Sequence, residues 1–428
     1  MSPHNVLEDQ SGSPLPLDGL LVADFSRVLA GPLASMFLAD LGATVIKVER
    51  PGSGDDTRSW GPPYVGTTTT YYTSVNRNKR SVTLDLTDSG DLELARRLAR
   101  RADVLLENYR PGKLAEFGLD AATVAGENPG LVYCSISGFG TGAGAHLPGY
   151  DFVAQAVGGL MSITGEPGGS PAKVGVALVD VLTGLHATIG ILAALRERER
   201  SGRGQVVGVN LLSSLLSSLV NQGAAYINGA GVPSAMGNKH PSIAPYETLQ
   251  TRDGPIAVSV GNDRQFAAMA ASLGRPELAA DPRFAANRDR VVNRPELIAA
   301  LESVLSAHDA AHWTDRLQGC GVPCGPVNDI GEAIELATRL GLRPVVHHPS
   351  SGAQDIATLA NPITLTRTPV RYHGAPPALG ADDSAVRAWL SADPIAGPPA
   401  NLDASCRTVV VEAAPALASE QPGIDHPQ

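Results

Sequence analysis

The stretches Leu20-Leu-Val-Ala-Asp-Phe25 and Ala43-Thr-Val-Ile-Lys-Val48, with the helix between them, determine the predicted fold. Both stretches are short, apolar runs typical of buried strands. Gly31-Pro32 opens the helix, Leu33 to Leu41 continues it, and Gly42 ends it. Proline just inside a helix and glycine just after it are the expected signals. The sequence therefore begins with a strand, a helix and a second strand.

The same alternation continues along the chain. Strands are predicted at Ser81–Leu86, Val104–Glu107 and Leu131–Ile136, and helices at Leu92–Ala102 and near Leu114. Strands that alternate with helices indicate an α/β fold with a parallel sheet, which binds its ligand at the carboxyl ends of the strands.

A chain of 428 residues exceeds the usual size of one hydrophobic core. A hairpin is predicted at Tyr246–Thr251 and Pro255–Val260, joined by an Asp-Gly turn and followed by helices. We interpret 237–330 as a smaller α+β domain inserted into a large α/β domain, which spans 18–225 and 331–393. Residues 1–17 are predicted to form a flexible tail, and 394–428, rich in Ala and Pro, a disordered one.

The composition excludes several classes of partner. The net charge is −10 and the pI about 5.5, whereas nucleic acids and anionic membranes require a basic surface. The first residues lack the features of a signal peptide, and Gly, Thr, His or Asp interrupt the longest apolar runs. Cys320, Cys324 and His312 have no second ligand pair at a suitable spacing, so no metal site is predicted. We expect a cytoplasmic protein.

Basic residues are concentrated between Lys47 and Arg80. Six of them (Lys47, Arg50, Arg58, Arg77, Lys79 and Arg80) accompany three acidic ones (Glu49, Asp55 and Asp56), and 6 − 3 gives a local charge of +3. Because the run begins where a predicted strand ends, it favours a phosphate-bearing ligand.

Two loops could contact a nucleotide. Asn108-Tyr109-Arg110 supplies an amide, a stacking ring and a guanidinium, which suits an adenine nucleotide, although a simple turn would look the same. Gly138-Phe-Gly-Thr-Gly-Ala143 fits a dinucleotide motif, but Pro148 interrupts the helix that should follow.

Asp180 ends the apolar run that starts at Val174, interpreted as a buried strand, and precedes an apolar helix, Val181–Leu195. No cation lies within five residues of it in sequence. The pattern favours an N-cap, the commonest role of aspartate before a helix. A second role is compatible with the first. A carboxylate with a reference pKa of about 3.9 is ionised at neutral pH, and it can attack an activated acyl carbon if it is held close and dry.

The chain resembles the class III CoA-transferases from about Leu17 to Leu390. The likeness rests on several blocks in one order: Asp24-Phe-Ser-Arg-Val-Leu-Ala-Gly-Pro32, Gly42-Ala-Thr-Val-Ile-Lys-Val-Glu-Arg-Pro-Gly-Ser-Gly-Asp55, Asn78-Lys-Arg-Ser81, Glu107-Asn-Tyr-Arg-Pro-Gly112, Gly149-Tyr-Asp-Phe-Val-Ala-Gln155, Asp180, Gly202-Arg-Gly-Gln205, His240-Pro-Ser-Ile-Ala-Pro-Tyr246 and Gly261-Asn-Asp-Arg-Gln-Phe266.

The resemblance implies a Rossmann-like large domain, a small domain joined by two linkers, and an interlocked homodimer. It assigns the catalytic role to Asp180 and places Tyr150 and Asp151 beside the thioester. Gly261 and Asn262 correspond to a loop that covers the active site. The CoA contacts it implies, together with Arg110 from the loop above, are Val28, Leu29, Ala30, Arg50, Leu84, Asn108 and Tyr109.

The implied activity is the transfer of CoA between two carboxylic acids through an aspartyl anhydride and an aspartyl-CoA thioester on Asp180. Acyl-CoA is a substrate, and no permanent cofactor is expected. Arg58 and His240 favour succinyl-CoA or another short dicarboxyl-CoA as donor. One alternative is an α-methylacyl-CoA racemase on the same fold, although Tyr150 occupies the position of its second acid/base histidine, and a phenol with a pKa near ~10 is a poor base. The second alternative is a CoA-binding protein without catalytic activity.

Overall fold

The computed structural model describes residues 14–349 and 355–392 and divides the chain into two compact units. The first contains the described residues of 1–154, 176–218 and 337–428. The second contains 155–175 and 219–336. The second unit thus takes in segments outside the interpreted small domain, 237–330, and the domain bounds stay a prediction.

A six-stranded parallel sheet forms the centre of the first unit. Its strands are β1 (Leu21–Asp24), β2 (Thr44–Glu49), β3 (Lys79–Thr83), β4 (Val104–Glu107), β5 (Val132–Ser137) and β6 (Val206–Asn210). They lie in the order β3-β2-β1-β4-β5-β6, which is the order of doubly wound dinucleotide-binding sheets. The predicted α/β class with a parallel sheet is confirmed.

Helices cover both faces of this sheet because alternate strand residues point to opposite sides. Leu21, Ala23 and Leu105 pack on the face covered by α2 (Ser89–Arg101). Val22, Val104 and Leu106 pack on the other face, against α1 (Ala30–Asp40) and α3 (Leu178–Ser201). The unit also contains the helices Thr70–Ser74, Ala121–Glu127, Leu211–Ser218 and Asp383–Ser391 and the start of the helix Asp151–Val157. Two 3₁₀ turns lie at Asp56–Ser59 and Lys113–Phe117. Two short strand pairs join Tyr64–Val65 to Thr68–Thr69 and Val345–His348 to Ile356–Leu359.

The second unit is built on a three-stranded antiparallel sheet. The predicted hairpin is confirmed as Tyr246–Gln250 paired with Pro255–Ser259, and Cys324–Pro326 adds the third strand. Its helical segments are Met161–Ile163, Val220–Ile227, Asp263–Ser272, Glu277–Ala280, Asn287–Val292, Arg294–Leu305, Ala310–Gly319 and the start of Ile330–Arg339.

Three sequence interpretations differ from the structure. Residues 14–17 are not part of a flexible tail, since Leu15 and Leu17 are buried. The apolar run before Asp180 is not a buried strand, because 171–177 has no regular structure. Helix α3 continues through the charged run as far as Ser201, where Gly202 with φ of 71° ends it. Residues 1–13 and the predicted tail 394–428 lie outside the described residues.

Helix α3 is longer than expected. Among the described residues it is the one helix whose length and composition would allow it to cross a membrane. Its apolar residues Ala187, Ile191 and Ala194 are buried against the sheet and α1.

Helices α1 and α3 approach closely at Gly184. A Cβ atom there would lie 2.6 Å from the Ala30 carbonyl oxygen. We expect Gly184→Ala to lower the free energy of unfolding by about 1–3 kcal/mol, the usual cost of overpacking. Gly126→Ala in the helix Ala121–Glu127 is the control, because no atom lies within 4 Å of its Cβ. Urea unfolding followed by circular dichroism measures both, and equal effects would contradict the close contact.

Candidate active site

A crevice opens where the strand order of the large sheet reverses, between β1 and β4. Ligands of doubly wound sheets bind at this position, outside the carboxyl ends of the strands. Two cavities lie there. The first, of about 240 Å³, contains Asp180 and is called the Asp180 cavity. The second, of about 180 Å³, contains Arg50 and is called the Arg50 cavity.

Most residues predicted to bind CoA line these cavities. Those in the Asp180 cavity are Val28, Leu29, Ala30, Asn108, Tyr109, Arg110 and Tyr150. Arg50, Leu84 and again Tyr109 line the Arg50 cavity. The structure thus brings together segments that are far apart in sequence, and Tyr109 belongs to both cavities.

The loop after β1 is held in an unusual conformation. Val28 has φ of 71°, in a region that β-branched residues rarely adopt. Such a conformation costs of order 1–3 kcal/mol and persists only where the surroundings impose it. Here the Val28 amide donates to the Asp55 carboxylate at 3.2 Å and 3.3 Å. The Asn108 side chain also accepts from the Arg27 amide at 2.9 Å and donates to the Arg27 carbonyl at 2.7 Å. Asn108 therefore fixes the loop with its amide group.

Asp180 lies in the first turn of α3 but does not cap it. The helix begins at Leu178, and the residue before it makes no side-chain cap hydrogen bond. The Asp151 carboxylate serves instead, since its Oδ1 accepts from the Val179 amide at 2.7 Å and from the Asp180 amide at 3.2 Å. These are the two amides that a capping side chain ordinarily satisfies. The N-cap interpretation of Asp180 is therefore wrong, and its carboxylate is not used as a cap.

The prediction that Asp180 is fully ionised at neutral pH is also wrong. Burial raises the pKa of Asp180 to about 7, and the negative charge of Asp151 adds to the rise. The amides at the start of α3 favour the ionised form but do not outweigh burial. The carboxylate is buried in the cavity wall and poised between its acid and its nucleophilic form near neutral pH.

Asp151→Asn separates the charge of Asp151 from its capping role. Asparagine keeps an oxygen that can accept from both amides but removes the negative charge, so the pKa of Asp180 should fall. We therefore expect the acid limb of the kcat/KM profile for CoA transfer to move to lower pH. Asp151→Ala should additionally lower the free energy of unfolding by about 1 kcal/mol through loss of the cap. An acid limb in Asp151→Asn that coincides with that of the wild type would show that the charge is irrelevant.

The basic residues between Lys47 and Arg80 were interpreted as a site for a phosphate-bearing ligand, but most of them have partners within the protein. Five of its six cations are engaged in ion pairs inside the first unit. The pairs are Lys47 with Asp55, Arg58 with Glu49, Arg77 with Asp40, Lys79 with Asp24 and Arg80 with Asp382. Arg50 is the one member without an ion pair within the described residues, and it lines the Arg50 cavity. The local charge therefore mostly stabilises the fold.

The positions of Arg58 and His240 do not support the prediction of a dicarboxyl-CoA donor. Arg58 donates to both Glu49 oxygens at 2.7 Å and to the Tyr72 hydroxyl at 2.6 Å, so its guanidinium is occupied. His240 belongs to the second unit, where its Nδ1 accepts from the Ser242 amide. Gly261 and Asn262 also lie in the second unit. There Asn262 caps the helix Asp263–Ser272, and Gly261 donates to the Gln265 side chain. Their role as an active-site loop stays a prediction.

Three residues near the site were missed by sequence reasoning. Arg27 lines both cavities, and Lys113 lines the Arg50 cavity. Tyr71 packs edge-on against Trp60, and burial raises its pKa to about 12, with further contributions from the charges of Asp180 and Asp151. Its phenol is therefore within electrostatic range of Asp180. Tyr71 follows a run of threonines, and nothing in that local pattern indicates a position near Asp180.

Comparisons with known proteins identify the family of this chain. The family model described as CoA-transferase family III matches residues 17–383. The chain is 44% identical over 340 residues to the succinyl-CoA:glutarate CoA-transferase of Mus musculus, covering 79% of this chain and 78% of that protein. It is 42% identical over 361 residues to the acetyl-CoA:oxalate CoA-transferase of Acetobacter aceti, covering 84% and 90%.

A solved structure shows the same likeness. The crystal structure of a CAIB/BAIF family protein from Brucella suis is 41% identical, with a TM-score of 0.78, and the alignment covers 89% of this chain and 100% of that one. The match to the family model extends over most of the chain and includes every residue of both cavities. This protein is an enzyme that belongs to family III of the CoA-transferases.

Proposed function

We propose that this enzyme transfers CoA from succinyl-CoA, or another short dicarboxyl-CoA, to a carboxylic acid acceptor, and that Asp180 carries the covalent intermediates. The observation that carries the proposal is the position of Asp180, a buried carboxylate without a capping role in the wall of the crevice cavity. The dicarboxylate class rests on relatives named for succinyl-CoA with glutarate and for acetyl-CoA with oxalate.

The proposed reaction uses Asp180 in its ionised form. The carboxylate attacks the thioester carbonyl of the donor, which forms a mixed anhydride and releases CoA as thiolate. The thiolate attacks the aspartyl carbonyl, giving an aspartyl-CoA thioester and the free donor acid. The acceptor carboxylate then attacks that thioester, which forms a second mixed anhydride and again releases CoA as thiolate. The thiolate attacks the acceptor-derived carbonyl of this anhydride, giving the new acyl-CoA and freeing the Asp180 carboxylate. Water must be excluded because it would hydrolyse each intermediate.

The neighbourhood of Asp180 supports transfer over racemisation. A racemase needs a second acid/base beside the aspartate, whereas within the described part of the chain no histidine lines the Asp180 cavity. Tyr150, which is more than half exposed, lines this cavity, and Tyr71 lies in electrostatic range of Asp180. We propose that these two phenols contact the acyl group.

A mass-spectrometric screen of acyl-CoA donors against carboxylic acids tests the proposal. Succinyl-CoA with glutarate or oxalate should give the new acyl-CoA, and hydroxylamine should trap Asp180 as a hydroxamate in the presence of donor alone. Deuterium exchange at the α-carbon of a branched acyl-CoA, without an acceptor acid, would instead support the racemase. Tight CoA binding without turnover across the panel would support a non-catalytic protein.

We also propose a cytoplasmic homodimer in which the two chains interlock, with the second unit inserted in a Rossmann-like large domain. The helix Val220–Ile227 supports self-association, since Val220, Tyr226 and Ile227 are each more than half exposed. Light scattering of the purified protein should give twice the chain mass of 44.3 kDa. A monomer at micromolar concentration would contradict the dimer.

A further inference from the structure

Arg27 forms part of the wall between the Asp180 cavity and the Arg50 cavity. Arg27 and Tyr109 each line both cavities, and the Arg27 guanidinium lies 5.6 Å from the centre of the Tyr109 ring. A ligand that occupies both cavities would therefore pass close to Arg27 and Tyr109. No other arginine lines both cavities among the residues that the structure describes.

The guanidinium is only partly satisfied by its neighbours. Nη1 donates to Asp56 at 2.8 Å, in an ion pair whose side chains are 36% and 37% exposed. Such solvent-exposed pairs contribute little. The Nε atom is buried and has no hydrogen-bond partner among the described residues. A buried donor without an acceptor is unfavourable, and arginine forms its strongest contacts when two donors bind one anion. Arg27 is thus arranged to exchange a weak partner for a stronger one.

The backbone of Arg27 cannot move with its side chain. Asn108 binds both the amide and the carbonyl of Arg27, and the next amide is bound by Asp55. Exchange of partners therefore requires a change in side-chain rotamer only, and the backbone of the loop keeps its shape.

We infer that Arg27 binds the pyrophosphate of CoA and leaves Asp56 when it does so. This inference rests on the proposed function, which places the thioester at Asp180. With the adenosine part near Arg50, the pyrophosphate, which lies between the pantetheine and adenosine parts of CoA, meets the wall that Arg27 forms. Asp56 is then a counter-ion that competes with the ligand and keeps the arginine in place when no ligand is bound.

Isothermal titration of the full-length protein with CoA, 3′-dephospho-CoA and pantetheine tests this inference. Arg27→Gln should weaken CoA and 3′-dephospho-CoA equally, by about tenfold to a hundredfold, as expected for loss of a charge-assisted contact. Pantetheine affinity should not change. Asp56→Asn should strengthen CoA binding a few-fold, but not when combined with Arg27→Gln. Arg196→Gln, which breaks an exposed ion pair with Glu199 on α3, is the matched control and should alter nothing.

Different failures have different meanings. An equal loss for pantetheine would overturn the inference, because Arg27 would then act on the shape of the loop. A loss for CoA alone would assign Arg27 to the 3′-phosphate. No loss in Arg27→Gln while the wild type binds CoA overturns only the role of Arg27. A wild type that binds neither CoA nor an acyl-CoA contradicts the proposed function itself.

Discussion

Replacing Asp180 with alanine or asparagine is expected to reduce CoA transfer by about four orders of magnitude or more, because loss of a covalent nucleophile leaves only binding and orientation. CoA binding should survive, since Arg27, Arg50 and Tyr109 remain. Steady-state assays give the rate, and titration calorimetry gives the affinity.

Glu199→Gln serves as the control, because it makes a similar carboxylate-to-amide change at the exposed far end of the same helix. The trapped hydroxamate should form in this control and be missing in both Asp180 variants. Transfer at a near-normal rate in Asp180→Ala would refute the covalent mechanism outright.

Lys47→Met is expected to cause the largest loss of stability, about 3–5 kcal/mol in the free energy of unfolding. Lys47 and Asp55 form an ion pair at 2.8 Å in which both side chains are fully buried. Removing one partner leaves an uncompensated charge in the core. Burial disfavours ionisation of both groups. Nevertheless, their mutual attraction holds the pKa of Asp55 below its ordinary value and raises that of Lys47.

The pH dependence of this variant provides an independent check. Without Lys47, burial should raise the pKa of Asp55 above its value in the unfolded chain. A carboxyl group with a raised pKa stabilises the fold at low pH and loses that contribution as the pH rises through its pKa. The deficit of Lys47→Met relative to the wild type should therefore shrink between pH 7 and pH 5, and Lys47→Met/Asp55→Asn should be less impaired at pH 7. Urea titrations that show a constant deficit would contradict this account.

The fold could be predicted from the sequence because its signals are local. Val104–Glu107 has the bounds predicted for it, and the hairpin at Tyr246 carries its Asp-Gly turn within a few residues. The sequence predicted that Asp180 caps α3, whereas Asp151 caps it, and local signals could not indicate this. The two residues are 29 positions apart, and no pattern within α3 indicates that a carboxylate from outside caps it.

The misinterpreted basic run has the same cause. Local charge counts do not reveal that Arg80 pairs with Asp382, 302 positions further on, or that Arg77 pairs with Asp40. The resemblance to the family indicated Asp180, Arg50 and Tyr150, which line the two cavities, but not the groups that orient them. Burial, which raises the pKa of Asp180, depends on packing and has no signature in the neighbouring residues.

The left-handed conformation of Val28 has a consequence for how the protein folds. Its amide is bound by Asp55, which follows β2, while Asn108, which follows β4, binds the preceding residue. The loop can keep this shape only after β1, β2 and β4 have been aligned, so we expect the ligand site to form after these strands have paired. CoA should consequently recognise the finished sheet and no earlier intermediate. Added CoA should slow unfolding without accelerating refolding, and double-jump stopped-flow experiments can measure both rates.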